Sequence, residues 1–336
     1  MVWYRHIRSK ASGAPPSAPG RDITPDLYSE WTIGSARSES RVGVAMEERL
    51  RQDIGSGSAG IDRSFYLTRK IEVYAEVERV ERLSGGMVRV VLAGGELHDF
   101  VSTPFTDEYI NAYFVSPEAP YEVPFELEEA RALGPDHEPK PRRLTVRHWD
   151  EEKRRLTLDF FTHGDQGHAG VWAQQARPGD RLQFKGPNGS YSPDPDKDWH
   201  FLAGDESTLP AISASVEAMP EGKPCVVFLV VDGPEYELEI DSQAALQLIW
   251  LHRSKVQDPE KVLLEAIREF EFPTGSYDVF VHGEAAEVRG IRKHLILDRG
   301  IEKAGSSISP YWRRDHTDEE WRRVKKQWLA DQQKDA

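Results

Sequence analysis

The sequence predicts a closed antiparallel β-barrel followed by an α/β domain on a parallel sheet, and three observations carry that prediction. Between about residues 70 and 187, short alternating or Val-rich stretches are separated by turns, with little helical periodicity. After Pro187, apolar runs at 199–203, 225–231, 246–251 and 277–282 interleave with helical spacing at 207–219, 259–270 and 284–297. At the junction the run Trp199 to Ala203 passes through Gly204-Asp205-Glu206 into apolar positions 209, 212, 216 and 219. That is the strand–turn–helix geometry that opens a nucleotide-binding unit.

Taken in order, residues 1–64 are rich in Gly, Ser, Pro, Ala and Arg and read as a disordered extension, with a short helix within 42–53 at most. Ile71, Val73, Ala75 and Val77 alternate with polar neighbours, Met87 to Leu92 is Val-rich, and Gly85-Gly86 between them reads as a hairpin turn. Tyr109 to Val115 is a third strand, and Ser116 to Pro141 a long Pro-rich acidic loop. Arg142 to Trp149, Arg154 to Thr162 and Arg181 to Lys185 complete six strands, enough for a closed barrel. The last helix starts at Thr317, where Thr-Asp-Glu-Glu forms a capping box, and its apolar stripe is Trp321, Val324, Trp328 and Leu329. The expected divisions are 1–64, a barrel over 65–192, an α/β domain over 193–316 and a terminal helix over 317–336.

Composition narrows the function. The chain has 336 residues, a formal net charge of −14 and one cysteine, Cys225. A single cysteine excludes an internal disulfide, a four-cysteine iron–sulfur cluster and a Cys-rich zinc site, and suits a reducing cytoplasm. The charge argues against nonspecific nucleic-acid binding. No run of about 18 apolar residues predicts a spanning helix, and no apolar segment follows the basic residues at the start, so the expected location is cytoplasmic. No Gly-x-Ser-x-Gly elbow points to a hydrolase. His163 and His168 lie five apart in a Gly-rich loop with no nearby metal-ligand pattern of carboxylates or cysteines, and no metal site is assigned.

Gly204 to Ile212, Gly-Asp-Glu-Ser-Thr-Leu-Pro-Ala-Ile, resembles the Gly-Asp-Glu-Thr-Ala-Leu-Pro-Ala-Ile signature of the siderophore-interacting protein family, differing at Ser207 and Thr208. Arg142 to Arg147 resembles the family's Arg-x-Tyr-Thr-x-Arg segment, with Leu144 in place of Tyr. His163 to Ala173 resembles its His-Gly-x-x-Gly-Pro-Ala-x-x-Trp-Ala segment, with His168 in place of Pro. The Pro-Gly-Asp and Gly-Pro-x-Gly turns at 178–180 and 186–189, the Gly283-Glu284 block and Tyr311-Trp312-Arg313 follow in order, so the resemblance covers about residues 70 to 315.

The resemblance implies a Greek-key FAD-binding barrel, a ferredoxin-reductase-like α/β domain, and FAD-dependent reduction of ferric siderophores with electrons from NADH, NADPH or a ferredoxin. It implies FAD contacts from Arg142, Leu144, Thr145, Val146, Arg147, His163, Gly167, Ala169, Val171, Trp172, Ala173, Gly204, Asp205 and Thr208. For the nicotinamide nucleotide it implies Gly204, Glu206, Pro210, Gly283, Glu284 and Arg292. Arg142 and Thr145 cannot share one face by simple alternation, so a bulge or the barrel edge must intervene. The free N–H groups at the start of the helix after Gly204 suit a phosphate. Glu206 and Glu284, if they faced an extra phosphate, would repel it, which favours NADH over NADPH. Arg313, and after it Arg314 and Arg147, are the candidates for attracting an anionic ferric siderophore. The sequence also admits a siderophore-binding protein without redox activity, or a same-fold flavin reductase with another acceptor.

Overall fold

The structure is a computed structural model that describes residues 71–83, 86–162, 164, 167–302 and 306–332. The extension 1–64 lies outside the described residues, as do Gly85 of the expected hairpin turn and His163. Six strands close an antiparallel barrel: β1 (Ile71–Arg82), β2 (Met87–Ala93), β3 (Tyr109–Phe114), β4 (Lys140–Asp150), β5 (Arg155–Phe161) and β6 (Arg181–Asn188), in the Greek-key order β1-β2-β5-β4-β3-β6. Alternation decides which side chains fill it. Val73, Ala75 and Val77 from β1 and Val88, Val90 and Leu92 from β2 point inward and are buried to within 3% exposure. Met87, on the opposite face of β2, joins the core of the sheet that follows, so the barrel wall is packed on both sides.

The expected long loop from Ser116 to Pro141 is shorter and more structured than its composition suggests. It holds α1 (Leu127–Ala132), and β4 already begins at Lys140. Gln183 of β6 pins the loop, accepting from the Phe125 N–H at 2.9 Å and donating to the Phe125 carbonyl at 2.8 Å. Such side-chain anchoring has no local sequence signal, because the partners are 58 residues apart.

The second half is a parallel sheet of β7 (Trp199–Asp205), β8 (Pro224–Val231), β9 (Ala245–His252), β10 (Tyr277–Glu284) and β11 (Ser306–Trp312), in the order β11-β10-β7-β8-β9. α3 (Leu209–Glu217) packs on one face; α4 (Val262–Glu269) and α5 (Ala285–Lys293) pack on the other. Because β8 and β9 build outward from β7 on one side and β10 and β11 on the other, strand order reverses between β7 and β10. Ligands bind outside the carboxyl ends of the strands at such a point. β11 is an edge strand absent from the sequence reading, which saw only its Tyr-Trp end; Ser306 to Pro310 is polar and Pro-bearing.

The terminal helix α6 (Asp318–Gln332) begins as expected: Thr317 Oγ1 accepts from the Glu320 N–H at 3.2 Å, and Glu320 Oε2 accepts from the Thr317 N–H at 2.8 Å. Its expected stripe is corrected at Val324, which is 39% exposed. Trp321, Lys325 and Leu329, one turn apart, face the body of the protein instead, with Trp321 buried.

Candidate functional site

A cleft of about 1440 Å³ opens between strands β3–β5 of the barrel, the carboxyl ends of the sheet strands, and α6. Its barrel wall has an unusual edge. β4 pairs with β3 from Lys140 to Thr145, but its pairing with β5 begins only at Val146. Residues 142–145 therefore show the cleft a strand edge without a β5 partner, and all four line it. The register shift between Val146 and His148, a bulge at Arg147, lies beyond this stretch, so of the two expected ways for Arg142 and Thr145 to reach one site it is the open edge that the structure shows. Phe160, Phe161 and Ala169 add an apolar floor.

This wall fits a flavin. A ring with an edge of hydrogen-bonding groups can pair with the open backbone of 142–145 while its faces lie on apolar side chains. Arg142 lines the same edge and carries the charge that a phosphate needs. The turn before α2 (His168–Gln175) suits a pyrophosphate: Gly167 caps the helix at φ 78°, where a β-carbon would be strained, and that carbon would meet no atom within 4 Å. α2 itself is fixed by Trp172, packed 5.7 Å from both Phe114 and Phe160, and by Ala173 in the barrel core.

Of the residues expected to hold FAD, the structure brings Arg142, Leu144, Thr145, Ala169 and Asp205 to the cleft. Val146, Trp172 and Ala173 pack with the barrel interior, and Val171 is half-buried away from the cleft wall. Arg147 is drawn to carboxylates, 3.7 Å from Asp159 and 2.7 Å from Glu217. Arg142 pairs with α6, at 3.4 Å from Asp318 and 2.7 Å from Glu319. The cation expected at the phosphate thus also holds the terminal helix.

The turn after β7 differs from its sequence reading in two ways. Gly204 is not an opening for a ligand. It is glycine because a β-carbon there would collide with Thr208 Oγ1 and come within 2.7 Å of the His282 carbonyl oxygen, so it lets β7, β10 and the helix start close up. Nor are the N–H groups of Ser207 and Thr208, in the turn before the helix, free for a phosphate. Asp205 Oδ1 accepts from the Ser207 N–H at 2.9 Å, and Thr208, fully buried, bonds the Asp205 carbonyl through both its N–H and its hydroxyl.

On the nucleotide side, Glu206 and Pro210 line the cleft, while Gly283, Glu284 and Arg292 lie behind its wall. Glu284 caps α5, accepting from the Ala286 N–H at 2.6 Å and the Glu287 N–H at 3.1 Å. Arg292 reaches the carbonyl of Gln332 at the end of α6. The ground for preferring NADH is removed. Burial raises the Glu206 carboxyl, and the Arg253 guanidinium at 2.6 Å offsets its charge. Arg253 also meets Asp232 at 3.0 Å. The sequence reading missed it because the partners are 47 residues apart.

Among the substrate candidates, Arg314 lines the cleft but is paired with Glu260, and Arg313 does not line it. The cations that do face it without a carboxylate partner among the described residues are Arg143, seated 5.3 Å from the Tyr109 ring, and Lys325 and Lys326 of α6, of which Lys326 is exposed. Lys325 was legible as the i+4 neighbour of Trp321. Opposite it, His282 is held neutral, its pKa lowered to about 3 by burial and by Lys325. His282 Nε2 meets Ser307 Oγ at 2.9 Å, and Nδ1 has no partner among the described residues.

The comparisons with known proteins agree with this geometry. A family model described as siderophore-interacting FAD-binding domain matches residues 76–191, and one described as siderophore-interacting protein matches residues 197–315. The ferric vibriobactin reductase ViuB of Vibrio cholerae is 34% identical over 72% of this chain and 89% of its own. The NADPH-dependent ferric-chelate reductase of Escherichia coli is 31% identical over 65% of this chain and 84% of its own. The crystal structure of a siderophore utilization protein from T. fusca superposes with a TM-score of 0.63 at 32% identity, covering 74% of this chain and 95% of that one.

Proposed function

The chain belongs to the siderophore-interacting protein family, and we propose that it reduces ferric siderophores through bound FAD, with electrons from a nicotinamide nucleotide, and releases the iron as Fe(II). As a member of this family, with its FAD-binding domain, it is a flavin-dependent oxidoreductase. One observation carries the residue-level reading: the open edge of β4 at 142–145, above an apolar floor to which Ala169 of α2 contributes, faces the carboxyl ends of β7 and β10 across one cleft.

Siderophores bind iron through hard oxygen donors, which suit ferric far better than ferrous iron, so one electron loosens the complex. FAD, when bound, supplies the conversion between a two-electron hydride donor and a one-electron acceptor. The protein's residues have positional work. Leu144 and Thr145 would present backbone to a ring edge, Phe160 and Phe161 would keep water from the floor, and Arg142 would meet a phosphate. Asp205, Glu206 and Pro210 shape the opposite wall at the β7–β10 switch point, where a nicotinamide nucleotide would lie. A nucleotide rather than a ferredoxin is supported by that wall and by the relative named for its NADPH dependence. Neither NADH nor NADPH is favoured by charge, since Arg253 balances Glu206.

Stopped-flow reduction of the flavin by NADH and by NADPH, followed by mixing with a ferric siderophore and a ferrous-specific chelator, tests the reading. Flavin bleaching by either nucleotide and ferrous colour on mixing are expected. A flavin that neither nucleotide reduces moves the donor to a ferredoxin, and absence of ferrous product removes the reductase assignment.

A further inference from the structure

Lys325 lines the cleft wall without a carboxylate partner among the described residues. It is half-buried, its Nζ donates to the Pro310 carbonyl at 2.7 Å, and it sits 5.8 Å over the Trp321 ring. The charged and titratable groups about it are Arg143 on β4, Asp318 and Arg322 on α6, and His282 on β10. Asp318 is shared between Arg142 and Arg322, at 3.4 and 2.5 Å. Burial, with the Arg143 charge behind it, brings the Lys325 pKa down to about 8. A half-buried ammonium beside two arginines, in a chain of net charge −14, makes this part of the cleft locally basic and suited to an anion. Its neighbours cannot trade protons near neutrality: arginine stays charged, and buried His282 stays neutral.

Resting on the ferric-siderophore reductase reading, we propose that Lys325 is the proton donor of iron release, protonating an aryl-oxide (catecholate-type) oxygen of the ferric chelate as the metal is reduced. The ferric ion takes one electron from the reduced cofactor of the reductase. The electron pair of one Fe–O bond stays on oxygen and captures a proton from Nζ, so an O–H bond forms as Fe–O and N–H break. Iron is then Fe(II), the ligand oxygen is a neutral phenol, and Lys325, now an amine, regains its proton from water in the cleft. Arg143 and Arg322 hold the anion and keep the lysine proton labile.

The test measures ferrous release as a function of pH in wild type, Lys325→Arg and Lys325→Gln, with a ferric catecholate complex and with ferric EDTA, whose carboxylate donors need no proton. Wild type should lose rate with catecholate as pH rises through about 8. Lys325→Arg keeps the charge but gives no proton; it should lose that pH limb and at least about tenfold more rate on catecholate than on EDTA. Lys325→Gln should lose further in KM. Equal losses on both chelates, or an unchanged pH limb in Lys325→Arg, would overturn the donor role while leaving the reductase intact. A wild type that reduces neither chelate overturns the reductase reading itself, and this proposal with it.

Discussion

The indole N–H of Trp312 donates to Asp205 Oδ2 at 2.8 Å, tying the end of β11 to the turn that ends β7. The same oxygen accepts from the Glu284 N–H at 3.0 Å, and a β-carbon on Gly283 would come within 2.7 Å of it. The Gly-Asp-Glu, Gly-Glu and Tyr-Trp-Arg blocks, far apart in sequence, are therefore three sides of one buried carboxylate. Trp312 also lines the cleft, so the residue that holds Asp205 is part of the cleft wall.

Replacing Trp312 with Phe removes a donor to a carboxylate that is only 1% exposed. The expected cost is about 1.5–3 kcal/mol, read as a lowered urea midpoint at unchanged slope. An unchanged midpoint would mean that water replaces the indole.

Gly204→Ala should destabilise by about 1–3 kcal/mol, because the new carbon meets Thr208 Oγ1 and the His282 carbonyl. Adding Thr208→Ala should recover only part of the loss, since the carbonyl cannot move without shifting β10. Full recovery in the double variant would assign the clash to Thr208 alone.

Arg142→Glu should weaken FAD by at least about tenfold, because a phosphate contact becomes a repulsion. The change also sets a third carboxylate against Asp318 and Glu319, the present partners of Arg142. Fluorescence titration of apoprotein with FAD measures the affinity. Wild-type affinity in the folded variant would show that Arg142 serves the terminal helix only.

Stability should fall as pH rises from about 5 to 9. Burial holds the Glu287 carboxyl at about 8 and the Glu108 carboxyl at about 7, both above the unfolded value of 4.5. Their stabilisation is complete below the unfolded value and is lost as pH rises through the folded ones. Glu287→Gln, which cannot ionise, should flatten the fall in melting temperature toward pH 9. A parallel curve would show that Glu287 is ionised in the native protein.

The barrel and sheet were legible because their signals are periodic. Val73, Ala75 and Val77 alternate, and the helices after β7 and β10 repeat their apolar residues at helical spacing. What escaped depends on pairs distant in sequence. Arg253 reads as a loop cation until Glu206 is seen against it, and Gln183 as a surface residue until Phe125 closes on it. The motif residues themselves were found, yet several have packing reasons in place of ligand ones, as Gly204 and Thr208 do. A conformation-restricting glycine looks the same in a sequence whether a ligand or a neighbouring strand requires the space.

The most direct test of the central claim is an anaerobic titration of the purified protein followed by its visible spectrum. The protein should be yellow, or become so with FAD, should bleach with reductant, and should recover its flavin colour on adding a ferric siderophore, with about two ferrous ions formed per flavin. A protein that takes up no FAD, or a reduced flavin that a ferric siderophore does not reoxidise, would contradict it.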